Sequence, residues 1–362
     1  MFYSDETAVS HPVAVSLRAR RAYDSSVDAP DFLSRYRRQV EDEVARTVPA
    51  DPSLLYEMVR HQLGWVDGRP NLGKCLRPAL CLFACETLGG DAAQALPVAA
   101  GIELLHNFSL VHDDIEDGDE VRHHRPTVWK AYGRAPAVLA GMALWSLAYQ
   151  AIDRASAAGA PPDRVVAARR AVSEACNEMV EGQHMDLTFE RRTDVSLPEY
   201  TAMISRKTGA LFAASLAAGA LMAGAGTDEA ARLGDFGRQL GLAFQIRDDI
   251  LGIWGEGTAT GKPVGADIAK RKKSLPVVHA FQQVVGPDRD VLRNAYAKPE
   301  IEEGDIDDVL DVLQRWNARY FAQGLAEDHR ARAMAALAQT AIPPSARFKF
   351  DELTAFILER EY

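Results

Sequence analysis

Two aspartate pairs, more than a hundred residues apart and each closing an apolar run, constrain this chain more than any other feature. The first is Asp113-Asp114-Ile115-Glu116-Asp117, preceded by Leu104-Leu105-His106-Asn107-Phe108-Ser109-Leu110-Val111-His112. The second is Asp248-Asp249-Ile250-Leu251-Gly252, preceded by Leu240-Gly241-Leu242-Ala243-Phe244-Gln245-Ile246-Arg247. On helices, Asp113 and Asp117 share a face at i and i+4, and Asp248 with Asp249 can aim at them from an opposing helix. For either pair alone, solvated acids on a helix end are the alternative reading. Together, the two strings fit a cavity between helices, acidic at its mouth and apolar below. Such like charge is costly without a cation, and Mg2+ suits both hard carboxylate oxygens and a phosphorylated substrate.

At 362 residues and 47% hydrophobic, the chain can bury a large core in one domain or at most two. Its formal charge of −10 argues against a nucleic-acid or anionic-membrane partner. Cys75, Cys81, Cys85 and Cys176 lack paired metal-ligand spacing and read as buried thiols in a reducing, cytoplasmic setting. Met1 to Pro30 has early acids and no continuous apolar segment, so it does not read as a signal peptide. The uncharged stretch Thr208 to Thr227 approaches the length of a membrane span. Its glycines and alanines favour a tightly packed buried helix instead, and no stable membrane insertion is expected.

Helical periodicity runs through about 31–48, 53–67, 77–88, 92–117, 127–132, 136–153, 162–191, 197–205, 207–224, 227–252, 273–285 and 304–338. No run alternates with the period of two that a sheet requires. The expected fold is therefore all-α, a single-domain helical bundle around a deep central cavity. Residues 1–28 read as a loosely ordered leader, 29–340 as the helical domain and 341–362 as a tail. Residues 287–303 read as a polar connector, and Phe348, Leu353, Phe356, Ile357 and Leu358 suggest that the tail docks on the body or on a partner.

Basic residues fall beside the acids in separate sets: Lys74 and Arg77; Arg122, His123, His124 and Arg125; Lys207; and Lys262 with Lys270 to Lys273. Alternating with metal-binding acids, they form a sensible diphosphate site, in which arginine forks across oxygens and lysine supplies a mobile charge.

These strings carry a resemblance. Gly73 to Pro78, His106 to Asp117, Arg122 to Thr127, Gly182-Gln183 with Asp186, Lys207-Thr208-Gly209, Phe244 to Asp249, Gly261-Lys262, and Asp267 with Lys272 follow in the order found in the trans-isoprenyl diphosphate synthases. The chain resembles that polyprenyl synthetase family from about residue 30 to 335. The resemblance implies an all-helical homodimer with Mg2+ between two aspartate-rich helices, three ions with substrate bound, and Mn2+ as a substitute. It also implies condensation of isopentenyl diphosphate with an allylic diphosphate, in which the allylic partner ionises and the double bond attacks the cation. Asp113, Asp117 and Asp248 would hold metal. Asp114 and Asp249 would ligate it directly or orient it, and Arg122, Lys207 and Lys262 would stabilise the departing diphosphate. Lys74, Arg77, His106 and His123 match positions that bind isopentenyl diphosphate, with Lys272 among the substrate-binding cations. Gln183, Gln245 and Thr208 match polar positions lining the cavity.

Four positions depart from the pattern. Gly252 stands where a third Asp is frequent, Met142 where Asp follows glycine, and Cys75 and His123 where arginine is usual. A histidine lacks the forked contact of arginine and is only partly charged near neutrality. The ionising half of the site is thus better preserved than the acceptor half. A class I terpene synthase, which needs no isopentenyl diphosphate, and a non-catalytic partner subunit are the alternatives. Phe108 beside the small Ser109, one turn or so before Asp113, resembles the geranylgeranyl (C20) type, with farnesyl as the nearest competitor.

Overall fold

Helix follows helix through residues 30–65, 68, 70–255 and 263–359, the part of the chain that the computed structural model describes. In order they are α1 (Asp31–Thr47), α2 (Leu54–Gln62), α3 (Leu76–Thr87), α4 (Ala92–Asp117), α5 (Val128–Tyr132), α6 (Arg134–Asp153), α7 (Pro162–Phe189) and α8 (Leu197–Ile204). A π-turn (Ser205–Gly209) then leads into α9 (Ala210–Ala223) and α10 (Thr227–Trp254). Next come α11 (Ala266–Ala269), α12 (Leu275–Gln283), α13 (Pro287–Ala297), α14 (Glu303–Arg315), α15 (Ala318–Ala338) and α16 (Pro344–Glu359). The expected leader, 1–28, lies outside the described residues.

Helix α4 starts where Asp91 accepts the Ala93 N–H at 2.9 Å and stops where Gly118 turns left-handed at φ 67°. The first acidic motif therefore fills its last turn. Asp248 and Asp249 stand likewise near the C-terminal end of α10. At that end the helix dipole is negative, so the local backbone field disfavours carboxylates, and both motifs depend on cations from elsewhere.

Packing explains which helix sits where. Helix α9 is alanine-rich and buried along most of its length, and it lies against α3, α7 and α10. Helix α4 packs on both α3 and α6. A large apolar core joins α1, α3, α4, α6, α9 and α10, and smaller cores lie beside α8 and beneath α13 and α14.

Three details differ from the sequence reading. The connector region 287–303 contains the helix α13, whose Leu292, Ala295 and Tyr296 are buried. The predicted helix over 304–338 is broken at Asn317, left-handed at φ 53°. A two-residue antiparallel ladder pairs Val121 with Pro126 and Arg122 with Arg125, too short for periodicity to reveal. The tail forms α16, and its Phe350 is fully buried against Phe83 and Phe236, at 4.9 and 5.1 Å between ring centroids. Phe348 points outward.

Among the described residues, α6 is long and apolar enough to cross a membrane by length and composition. One side of it packs on α4, and the other exposes Leu139, Met142 and Trp145.

Candidate active site

Between the ends of α4 and α10 lies a cavity of about 810 Å3. Its lining includes Asp113, Asp117, Asp186, Asp248, Asp249 and Asp267, together with Lys74, Arg122, His123, Lys207 and Lys272. Leu110, Met203 and Ile204 supply apolar wall. Asp113 and Asp117 of the first motif and Asp248 with Asp249 of the second therefore line one space.

The acids are not equivalent. Burial pushes the Asp113 carboxyl up to about 6, with Lys207 pulling it down and Asp117 pushing it further up. Asp117 is also buried, yet Lys272, 3.4 Å away, and Lys207 hold its carboxyl below the usual carboxylate range. Asp114 turns away into an ion pair: Arg122 donates Nε and a terminal nitrogen to its Oδ1 at 2.8 and 2.7 Å. Asp249 is tied down as well. Its carboxylate accepts from Tyr200 Oη at 2.6 Å, the Leu275 N–H at 2.7 Å and Gln245 Nε2 at 3.1 Å. Asp114 and Asp249 thus brace the helix ends, and Asp113, Asp248 and Asp249 line the cavity.

Lys207 comes from the π-turn, which inserts an extra residue into the helical ladder and carries Thr208 beside it. Helix α7 can lie against this turn because residue 182 is glycine; a side chain there would run into the Lys207 backbone. Lys207 donates to Asp186 at 2.6 Å, and despite its burial the charges of Asp186 and Asp113 hold it above the usual lysine range. Thr208 donates to Gln245 Oε1 at 2.7 Å, extending the network that ends on Asp249. Gln183, expected in the cavity, instead donates to Glu116 at 2.7 Å, and it is not among the lining residues.

At the opposite side, Lys74 and His123 line the cavity. Arg77 and His106 stand behind them, with Arg77 Nη1 3.2 Å from His106 Nε2. Because arginine can only donate, Nε2 accepts and the ring is neutral. Burial, followed by the charges of Arg77 and Arg122, agrees in holding His106 well below the usual histidine range. His123 is held low too, by burial and then by Arg122 and Arg125, and its backbone is left-handed at φ 49°. Its neutral ring faces the same space as Lys74.

Gly252 has a physical partner. A side chain at this position would collide with the carboxylate of Asp267, which leans across the end of α10. The carboxylate missing from the second motif is thus replaced in space by one from α11. Sequence reading also passed over Asp119, paired with Lys270, and Tyr200, for which no local signal exists. Lys262 lies outside the described residues. Phe108 and Ser109 sit on α4 short of the cavity lining. Phe108 packs on His112 at 4.8 Å between ring centroids, and Ser109 donates to the His106 carbonyl at 2.8 Å.

Hard carboxylate oxygens, and a carboxyl driven upward by burial beside a second acid, suit a divalent cation such as Mg2+. Among the described residues no three acid, histidine or cysteine side chains already converge as a closed ligand set. Instead Lys207 and Lys272 stand among the acids and balance them.

The chain is similar over most of its length to known proteins. The family described as Polyprenyl synthetase matches residues 67–313. The (2E,6E)-farnesyl diphosphate synthase of Mycobacterium tuberculosis (strain ATCC 25618 / H37Rv) is 41% identical over 341 residues, 92% of each chain. The geranylgeranyl diphosphate synthase of the same strain is 35% identical over 313 residues, 84% of this chain and 88% of its own. The crystal structure of geranylgeranyl pyrophosphate synthetase from Pyrococcus horikoshii Ot3 superposes with a TM-score of 0.82 at 36% identity, covering 91% of this chain and 98% of that one.

Proposed function

From the premise that this chain belongs to the polyprenyl synthetase family and is a trans-prenyltransferase, we propose that it condenses isopentenyl diphosphate with an allylic diphosphate to give a short all-trans prenyl diphosphate, most simply the C20 product. The observation that carries this reading is the convergence of Asp113, Asp117 and Asp248 with Lys207, Lys272 and Arg122 around one cavity with apolar wall. Mg2+ held by Asp113, Asp117 and Asp248 would supply positive charge to the leaving diphosphate, and Mn2+ has the same preference for oxygen ligands.

The protein's own groups do the rest. Lys207 and Arg122 add fixed positive charge where the pyrophosphate departs, in a site that burial keeps poor in water. Leu110, Met203 and Ile204 shield the allylic cation from water until the double bond of isopentenyl diphosphate reaches it. Lys74 and Arg77 hold that second diphosphate, with His106 fixing Arg77 from behind. Asp114 and Asp249 act by bracing Arg122 and the end of α10. The departing pyrophosphate is the acceptor for the final proton, so no histidine base is needed.

Phe108 and Ser109 support the C20 product over the C15 alternative, which the 41% identity to a farnesyl diphosphate synthase favours. A terpene synthase would have no use for Lys74, Arg77 and His106 together. The exposed row Leu139, Met142 and Trp145 on α6, beside an apolar groove lined by Leu54, Leu55 and Met58, supports a homodimer through this face. With four buried free cysteines, the chain suits the cytoplasm.

The test is incubation with Mg2+ and dimethylallyl, geranyl or farnesyl diphosphate, each with and without isopentenyl diphosphate. Elongated diphosphates that require both substrates support the reading. Hydrocarbons formed from the allylic substrate alone, or no turnover by the purified chain, would reject it. Sedimentation of the same sample reads the dimer.

A further inference from the structure

Between α11 and α12 four cations follow one another, Lys270 to Lys273, and they alternate in what they meet. Lys270 pairs with Asp119 and Lys272 with Asp117, both beside the end of α4. Arg271 and Lys273 are spent on backbone carbonyls instead. Arg271 Nη1 donates to the Lys298 carbonyl at 2.9 Å, and Lys273 Nζ donates to those of Glu190 and Arg271 at 3.1 and 3.2 Å. Lys273 is only 4% exposed and lines the cavity, yet the reaction above does not use it. Burial, with Arg271 beside it, pushes its ammonium down to about 8 while Glu190 opposes, and the Tyr296 ring lies 4.6 Å away at its centroid. An apolar side chain would fill this place at less cost, so the charge itself calls for a reason.

Its two acceptors supply one. Glu190 is the C-cap of α7, where the last carbonyls lack partners within the helix and the dipole is negative, so an ammonium is favoured there. One turn earlier the same helix carries Asp186, which holds Lys207 at 2.6 Å. The other acceptor belongs to Arg271, left-handed at φ 55°, a conformation that side chains disfavour and that surrounding contacts must hold. The bond from Lys273 back to Arg271 spans Lys272 and closes the turn around it. Tyr296 Oη donates to the Lys272 carbonyl at 3.4 Å, so the Lys272 backbone is fixed from several directions and its side chain leaves that anchor for Asp117. Lys272 and Lys207 both hold Asp117 low, so the two ammoniums serve one place. Lys273 ties the segment that carries one of them to the helix that holds the other.

We propose that Lys273 is a positioning residue for Lys272: by fastening the turn at 271–273 to the C-terminal end of α7, its ammonium sets the place from which Lys272 meets the diphosphate of the allylic substrate. This rests on the functional reading given above, in which Lys272 and Lys207 stand around the cavity where that diphosphate departs.

The test is a double-mutant cycle of Lys273→Met and Lys272→Ala in the full chain at pH 7, with thermal unfolding recorded for each variant. Methionine keeps most of the apolar stem and removes the ammonium. Lys273→Met is expected to raise KM for the allylic diphosphate roughly tenfold, with KM for isopentenyl diphosphate changed less than about twofold. In the Lys272→Ala background the same substitution should change KM for the allylic substrate less than about twofold. Additive effects, or equal changes in both KM values, would overturn the proposal. If Lys273→Met does not fold, Lys273→Gln keeps a donor toward the carbonyls without the charge. A rise in KM confined to the allylic substrate then supports the proposal, and an unchanged KM defeats it. Calorimetric binding of inorganic pyrophosphate to the same four proteins gives the cycle without turnover, so it separates this proposal from the synthase reading. Absence of coupling there rejects the role of Lys273, whereas wild-type protein that never elongates an allylic diphosphate rejects the function instead.

Discussion

Tyr200 donates its hydroxyl to Asp249 at 2.6 Å within the packed junction of α8, α10 and α12. Tyr200→Phe removes one of three donors to a buried carboxylate without changing the ring that fills the site. The expected loss is about 1–3 kcal/mol of unfolding free energy by denaturant titration. The fall in kcat should be smaller than that for Asp248→Asn, because Asp249 acts by holding the helix end.

Glu103 should make stability depend on pH in a defined sense. Burial pushes its carboxyl up to about 7, with Arg77 and Asn107 opposing. The folded protein therefore binds this proton more tightly than the unfolded chain, where a glutamate titrates near 4.3. Stability is highest below the unfolded value and falls as pH rises through about 7. Buried histidines change stability over part of the same range, so the comparison is with Glu103→Gln. From pH 5 to pH 8 the wild type should lose on the order of 3 kcal/mol relative to that variant, read as the difference between their denaturation curves.

Gly252→Ala should disturb the site although it adds one methyl. That methyl would occupy the place of the Asp267 carboxylate, and Asp267 must move away with Lys272, which it helps to hold in its charged state. Steady-state assays should show kcat reduced roughly tenfold or more, and Mg2+ titration of activity should shift to higher concentration. Gly252→Asp, which restores the more frequent acid, should be worse than Gly252→Ala because two carboxylates would contend for one place.

His123→Arg should improve the acceptor half of the site. His123 lines the cavity with Lys74, and burial with the charges of Arg122 and Arg125 keeps its ring neutral. An arginine would bring a permanent charge and a forked contact worth ~1.5–3 kcal/mol. KM for isopentenyl diphosphate is expected to fall roughly tenfold or more. An unchanged KM would show that residue 123 does not meet the substrate.

Phe108→Ala should lengthen the products, as measured by chromatography of the dephosphorylated alcohols. The ring lies on α4 beside His112, outside the lining of the cavity, so its removal should deepen the apolar end without altering the acids. An unchanged product distribution would assign the floor to Met203 or Ile204.

The legible part of this molecule was what repeats locally. Helical period and the polar ends of two apolar runs were enough to anticipate an all-helical fold and the acids at its centre. Lys74, Arg122, Lys207 and Lys272 were legible because basic residues alternate with the acids along the chain in a recognisable order. The resemblance assigned metal to Asp113 and Asp248 and left Asp114 and Asp249 either to ligate it directly or to orient it, without saying what would hold these two. Their hold depends on Arg122, Tyr200 and Leu275 arriving from other segments. Gln183 was expected in the cavity because it matches a polar lining position in the resembling family, but it donates to Glu116 and is not among the lining residues. The replacement of an acid at 252 by Asp267 joins residues on separate helices, and no local pattern could reveal it.

The wide turn at Ser205–Gly209 makes one lysine hostage to a whole helix. Each residue advances an α-helix by about 100°, so tightening that turn to ordinary geometry would rotate Lys207 out of line with Asp186 unless α9 rotated to compensate. Helix α9 has no freedom to do so, enclosed as it is by α3, α7 and α10. The register of an uncharged, alanine-lined rod therefore governs where a distant positive charge can stand.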